Sequence, residues 1–469
     1  MRSAMYSPRS DRGRAAADVI DAPATADFTK WWAEREAAGR FSVNRIPFAE
    51  MQGWRFDPET GNLAHESGRF FSIDGVQTRV HGVDDWAQPI INQPEIGILG
   101  IIVKEFDGVL HCLMQAKMEP GNVNTLQLSP TVQATRSNYT QVHRGARTRY
   151  LDYFVGRRRG ELLVDVLQSE QGAWFWRKRN RNMVVLATDD VEVHEDFRWL
   201  TLAEVGALMR VDNLVNMDAR TVLSCLPFWA PDKAGPAGDG SFASALARSY
   251  HCESVDGRAA ALNAFGEILS WFIEAKTRCD WSARLVPLDL VPAWRRTADE
   301  IFDEERRHFR IIAVQVEAGT REVKRWTQPL LSPRGQGDAL FVVRVVRGVL
   351  HLLVQARPEY GLVDLVEMGP TVQLQPGEDP AGLAEPVLRA VVHGEVGTVR
   401  YDTVLSEEGG RFHQALTRYR IVEIDEDVPV EVDDNFCWMT VRQLTDLLRH
   451  GHYLNVEARS LLTCLRSLC

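Results

Sequence analysis

The chain repeats itself. "WAQPIINQPEIGILGIIVKEFDGVLHCLMQAKMEPGNVNTLQLSPTVQ", Trp86 to Gln133, aligns without a gap on "WTQPLLSPRGQGDALFVVRVVRGVLHLLVQARPEYGLVDLVEMGPTVQ", Trp326 to Gln373, with about 19 of 48 positions identical, far above chance. The match extends both ways. "IPFAEMQGW" ending at Trp54 pairs with "VPLDLVPAW" ending at Trp294, and "DVLQSEQG" from Asp165 with "DTVLSEEG" from Asp402. "FRWLTLAEV" from Phe197 pairs with "FCWMTVRQL" from Phe436, and "LVNMDARTVLSCL" from Leu214 with "YLNVEARSLLTCL" from Tyr453. Whatever one half folds into, the other must resemble. The expected division is a tail over 1–23, a first repeat over 24–228, a linker over 229–258 and a second repeat over 259–469. The join "WAPDKAGPAGDGSFAS", Trp229 to Ser244, is rich in Gly, Pro, Ala and Asp.

Each repeat predicts an α+β plan with mixed or antiparallel strands rather than a βαβ series. A helix opens each half, at 26–39 and 259–276, with aromatic residues at helical spacing. Asp107-Gly108 between two strand-like runs signals a hairpin. Further strands are expected near 162–167 and 183–187. Two helices close each half, and Thr201 with Glu204, and Thr440 with Gln443, read as capping boxes.

Several function classes are excluded or disfavoured. The formal charge of −10, from 54 basic and 64 acidic side chains, argues against a nucleic-acid binder. Seven scattered Cys offer no CxxC pair and no zinc spacing, which fits free thiols in a reducing cytoplasm. The N-terminal segment is Arg-rich without an apolar stretch, so no secretory signal is expected, and no run is long and apolar enough for a membrane span. No GxGxxG after a strand, P-loop, GxSxG or HExxH is present.

Alternation along the second hairpin strand places Val109, His111, Leu113, Gln115 and Lys117 on one face, and Val349, His351, Leu353, Gln355 and Arg357 on its counterpart. Such a mixed face suits a pocket wall or a half-exposed sheet. Polar residues found in only one half are the better candidates for chemistry. The first half alone has His65, the "QATRSNYTQVH" run with Arg136, Ser137, Asn138, Tyr139 and Thr140, and "RKRNRN" from Arg177 to Asn182. His65 reads as catalytic or as a loop His, Tyr139 as functional or packing, and Arg136 as a phosphate contact or a surface ion pair. The basic run reads as a solvated edge with one residue, such as Arg179, reaching a ligand. Trp54 and Trp294 are core or base-stacking residues. PTVQ itself reads as scaffold or shared binding surface.

The strings "WAQPIINQPEIGILGI", "DGVLHCLMQAKMEPGN", "LQLSPTVQATRSNYT", "DVLQSEQG" and "RKRNRN" resemble the NDP-hexose 2,3-dehydratases of deoxysugar biosynthesis, over about residues 27 to 469. The resemblance implies two Nudix-like domains, a homodimer, a cytoplasmic enzyme of antibiotic pathways and a dTDP-4-keto-6-deoxyglucose substrate. It implies a downstream NAD(P)H-dependent 3-ketoreductase that consumes the product. No cofactor and no metal are expected, because the reaction has no net redox change and "EPGNVNTLQLSPTVQATRSNYT" carries Glu119 as its one acid, where Nudix hydrolases cluster carboxylates for magnesium. For this chemistry the candidate catalytic groups are His65, Lys117, Tyr139 and Glu170. Candidate substrate contacts are Trp54, Gln115, Arg136, Ser137, Asn138, Thr140, Ser169 and Arg179. A second, non-catalytic pocket is expected around Trp294, Arg357 and Gln373. The competing functions are a non-catalytic nucleotide-sugar binder and a metal-independent relic of a sugar-nucleotide hydrolase.

Overall fold

The computed structural model describes residues 24–80, 86–135, 148–156, 159–227, 241–251, 260–319 and 324–468. Four sheets organise them, two of seven strands and two of five. The first large sheet runs in the order Glu161–Ser169, Arg179–Leu186, Gly97–Phe106, Val109–Met118 and Phe197–Thr201, with Leu126–Ser129 also pairing with Val109–Met118 and Val132–Ala134 with Gly97–Phe106. Arg179–Leu186 lies parallel to Gly97–Phe106 and the remaining pairs are antiparallel. The second half repeats this sheet, including the parallel pair of Leu416–Glu423 with Gly337–Val346.

Local chemistry sets these elements. Asp107 and Gly108 both take positive φ, 50° and 80°, as a tight hairpin turn requires. Both capping boxes form: Thr201 Oγ1 accepts from Glu204 N, and Thr440 Oγ1 from Gln443 N. The two opening helices run Ala24–Ala38 and Phe265–Arg278. The second starts later than 259 because Glu267 reaches back to the Ala264 amide, 2.6 Å away. The Thr of PTVQ is scaffold in both halves. Thr131 Oγ1 accepts from Ile102 N and donates to the Leu113 carbonyl, clamping the hairpin strands, and Thr371 does the same with Val342 and Leu353.

The small sheets are where the halves exchange strands. Phe41–Ile46, from the first half, pairs antiparallel with Phe309–Ala318 of the second, Phe41 opposite Ala318. Ser282–Val286, from the second half, pairs with Ser72–Arg79 of the first. One apolar core lies between these sheets and mixes Trp54, Leu63, Phe71 and Phe175 with Leu288, Phe309, Leu331 and Phe412. The closing helices Met217–Ser224 and Val456–Arg466 meet in a second shared core. Arg220 and Arg459, fully buried there, each reach the other half: Arg220 donates to the Ser406 carbonyl and Arg459 to the Ser169 carbonyl. A buried guanidinium is tolerated because its donors find carbonyls and hydroxyls.

Part of the expected linker is structured. Phe242–His251 is a helix whose Ala245, Leu246 and Tyr250 enter the core. Ser249 donates to the Leu350 carbonyl and accepts from Val441 N. The apolar spacing within "FASALARSYH" drives this docking despite the Gly- and Pro-rich run before it. Among the described residues no helix is long and apolar enough to cross a membrane.

Candidate functional site

A cavity of about 670 Å³ opens between the first large sheet and the second half, within the size range of small-molecule sites, roughly 300–1,000 Å³. Gln115 and Lys117 reach it from one face of the hairpin strand, as the alternation predicts, with Gln133 beside them. His111, at the far end of that strand, does not; its ring packs on Phe106. His65 and Phe70 stand on another wall with Trp54. The second half completes the enclosure with Trp326, Gln328, Glu408 and Arg411.

The wall is polar and strongly charged. Among the described residues six cations line it, Arg35, Lys117, Arg149, Lys178, Arg325 and Arg411, against four carboxyls, Glu119, Asp196, Asp218 and Glu408. That excess of positive charge suits an anionic ligand. Lys117 Nζ is 2.8 Å from Glu119 Oε1. Behind this wall Glu170 accepts from Asn180 Nδ2 at 2.6 Å. Burial, and then the Glu408 carboxyl, push Glu170 up to about 7. Burial pulls the Lys178 ammonium down to about 8. Asp218, in the first turn of the closing helix, is held well above the usual carboxylate range by burial and then by Glu408 and Glu170. Burial also raises Glu408, against the pull of Arg411 and Lys178. Groups whose proton affinities are moved this far, in or directly behind one cavity wall, make this cavity the candidate site for acid–base chemistry.

The structure brings some of the expected residues to the cavity and leaves others away from it. His65, Lys117, Trp54 and Gln115 converge on the cavity, and Glu170 sits one layer behind. Trp54 is mostly core: its indole N–H donates to the Thr327 carbonyl and its ring packs on Phe71 and His65, so one edge faces the cavity. His65 Nδ1 accepts from Ser67 N and meets Ser67 Oγ at 2.8 Å, which places the neutral ring's proton on Nε2. Ser169 does not line the cavity. Its hydroxyl donates to Glu367 and its carbonyl takes Arg459, at the junction of the halves. In the basic run, strand alternation turns Lys178 and Asn180 to the cavity and Arg179 away from it. Arg136, Ser137, Asn138, Tyr139 and Thr140 lie outside the described residues.

The expected second pocket is filled. Trp294 packs on Phe309, Arg357 pairs with Glu359, and Gln373 donates to Glu359 while accepting from Asn455. Gln373 lines a space of about 10 Å³, bounded also by Trp174, Glu407 and Glu457, room for about one water. By the repeat, Trp174 and Tyr360 stand where the open cavity has Arg411 and Pro120. The Tyr360 hydroxyl donates to the Ala173 carbonyl and accepts from Gln88, which locks the ring in place.

Asp218, Lys178, Glu408 and Arg411 were not selected from the sequence. Asp218 had a signal: it recurs as Glu457, an acid held in the first turn of the closing helix of each half. Among the described residues no three His, Cys, Asp or Glu side chains are arranged to hold a metal ion.

The duplicated α+β halves enclose a charged cavity of small-molecule size between them. A family model for NDP-hexose 2,3-dehydratase matches residues 25–226 and again 265–465. The chain is 52% identical, over 95% of its length and 92% of the relative's, to a dTDP-4-dehydro-6-deoxy-α-D-glucopyranose 2,3-dehydratase of Saccharopolyspora spinosa. Proteins of the same name from Streptomyces violaceoruber and Amycolatopsis orientalis are 50% and 45% identical, over 95% and 94% of this chain and 97% and 90% of theirs. The chain belongs to the NDP-hexose 2,3-dehydratase family.

Proposed function

We infer that the chain is a hydro-lyase that removes the C2 hydroxyl of dTDP-4-keto-6-deoxyglucose as water, giving a 3,4-diketo-2,6-dideoxy sugar nucleotide. The C4 ketone acidifies the C3 proton and stands β to the C2 hydroxyl. A base takes the C3 proton, the enolate expels the C2 oxygen as an acid protonates it, and the resulting enol tautomerises. The observation that carries this reading is the cavity itself: cations for a diphosphate on its walls, and carboxyls in contact with Lys117 and close to Lys178 within it. Lys117 is placed to polarise the developing C4 oxyanion. His65, at the wall, is a candidate for positioning the sugar or moving a proton.

To the same reading belong two Nudix-like domains over 24–228 and 259–469, a homodimer, a cytoplasmic location and an antibiotic pathway. Support for the fold relationship is the mixed sheet with flanking helices, repeated in each half. The unstable diketone calls for a reductase of the NAD(P)H-dependent class as its consumer. The test is to mix the chain with dTDP-4-keto-6-deoxyglucose and such a ketoreductase and read the sugar nucleotide by mass. Loss of one water followed by gain of the two hydrogens that the reductase delivers is expected; unchanged substrate, or release of dTMP, would overturn the proposal.

A further inference from the structure

The geometry points to Glu119 of the first half and Glu408 of the second as the carboxyl pair of the elimination, Glu119 the base at C3 and Glu408 the acid at the C2 hydroxyl. This rests on the dehydratase reading and assigns its proton transfers.

Both side chains line the cavity. They also flank one point of backbone: a methyl on Gly410 would sit 2.9 Å from Glu408 Oε1 and 3.8 Å from Glu119 Oε2. Their surroundings differ. Glu119 is ion-paired with Lys117 at 2.8 Å, which presents it as a carboxylate. Glu408 faces Glu119, Asp218 and Glu170 as well as Lys117, Lys178 and Arg411, and burial favours its neutral form. Two carboxyls set apart by their environments divide into acid and base.

The loop that carries Glu408 is fixed from both halves. Gly121 N donates to the Gly409 carbonyl at 2.7 Å, and Gln414 N donates to the Gly121 carbonyl at 2.6 Å. Gln328 holds the Gly410 carbonyl at 2.8 Å, and Arg220 holds that of Ser406 at 2.9 Å. In the filled counterpart the pair is broken. Glu359 repeats Glu119, but Gln171 stands for Glu408, and Glu359 is bound by Gly172 N, Gln373 and Arg357. The asymmetry between the halves therefore includes an acid gained by the second, not only polar groups kept by the first.

The protons balance over one turnover. The C3–H bond breaks to Glu119, and the C2–O bond breaks as Glu408 gives its proton to the departing water. Glu119 then returns its proton to C2 while the Glu408 carboxylate takes the proton of the C3 enol, and both groups are reset.

The experiment compares the full chain with Glu119→Gln and Glu408→Gln on dTDP-4-keto-6-deoxyglucose in deuterated water, following water loss and deuterium entry at C3 of recovered substrate. Wild type must lose water; if it does not, the dehydratase reading itself falls. Glu408→Gln is expected to lower kcat by about 10²–10⁴-fold, with KM within threefold and C3 exchange retained, whereas Glu119→Gln loses both. A Glu408→Gln variant within threefold of wild-type kcat, or one that loses C3 exchange together with elimination, overturns the pair while leaving the dehydratase reading in place. Glu408→Asp is the second variant: it is expected to recover part of the lost kcat, and activity no better than that of the Gln variant counts against Glu408 as the acid. If the Gln variant does not fold, Glu408→Asp decides alone, with at least a tenfold lower kcat expected and an unchanged kcat overturning the assignment.

Discussion

Glu170 makes the native state sensitive to pH. Its carboxyl titrates near 7 when folded, against 4.5 ordinarily, because it is buried with Glu408 close by. Between those values the native state holds a proton that the unfolded chain has released, so folding weakens as pH rises through that interval. Glu170→Gln removes this dependence and keeps an oxygen for Asn180. Its melting temperature is expected to match wild type near pH 4.5 and exceed it above pH 7; a constant offset across that range would refute the account. At this scale the sequence was partly legible. Strand alternation found Gln115 and Lys117, because period two fixes which side chains share a face. Glu408 and Arg411 were invisible, since each belongs to a half whose own pocket they do not serve.

Elements whose signals are local were readable: the hairpin at Asp107-Gly108, the capping boxes and the closing helices. The strand exchange was not. "FSVNRI" and "SARLV" are too short to name a partner, and either small sheet offers each a similar edge. Contact between elements also sets a demand at Gly121. An added Cβ there would collide with the Phe412 carbonyl and lie within 2.8 Å of the Gly409 carbonyl. Gly121→Ala is expected to push the 409–414 loop away and lower kcat at least tenfold while the secondary structure, read by circular dichroism, is kept. Wild-type turnover would show that the loop tolerates the shift.

Across the whole molecule, the sequence reads as two tandem repeats with a linker, and the structure joins them through two shared cores and two lent strands. Neither half is expected to fold alone. Expressed separately, 24–228 and 259–469 should be insoluble, each leaving a sheet edge unpaired and half a core in water; expressed together, they should copurify. A monomeric, cooperatively melting single half would contradict this. Arg220 tests the same junction: Arg220→Ala strips donors from the Val215 and Ser406 carbonyls and is expected to destabilise the chain by about 2–4 kcal/mol in urea titration.

The borrowed strand Ser282–Val286 has a consequence for biosynthesis. On the ribosome, the edge of Ser72–Arg79 stays bare until the later segment emerges, a wait on the order of ten seconds or more at ordinary elongation speed. During that interval the nascent chain presents an open β-edge to every neighbouring polysome product. Slow codons or chaperone shortage between the two segments should therefore reduce yield, even when the finished enzyme is stable.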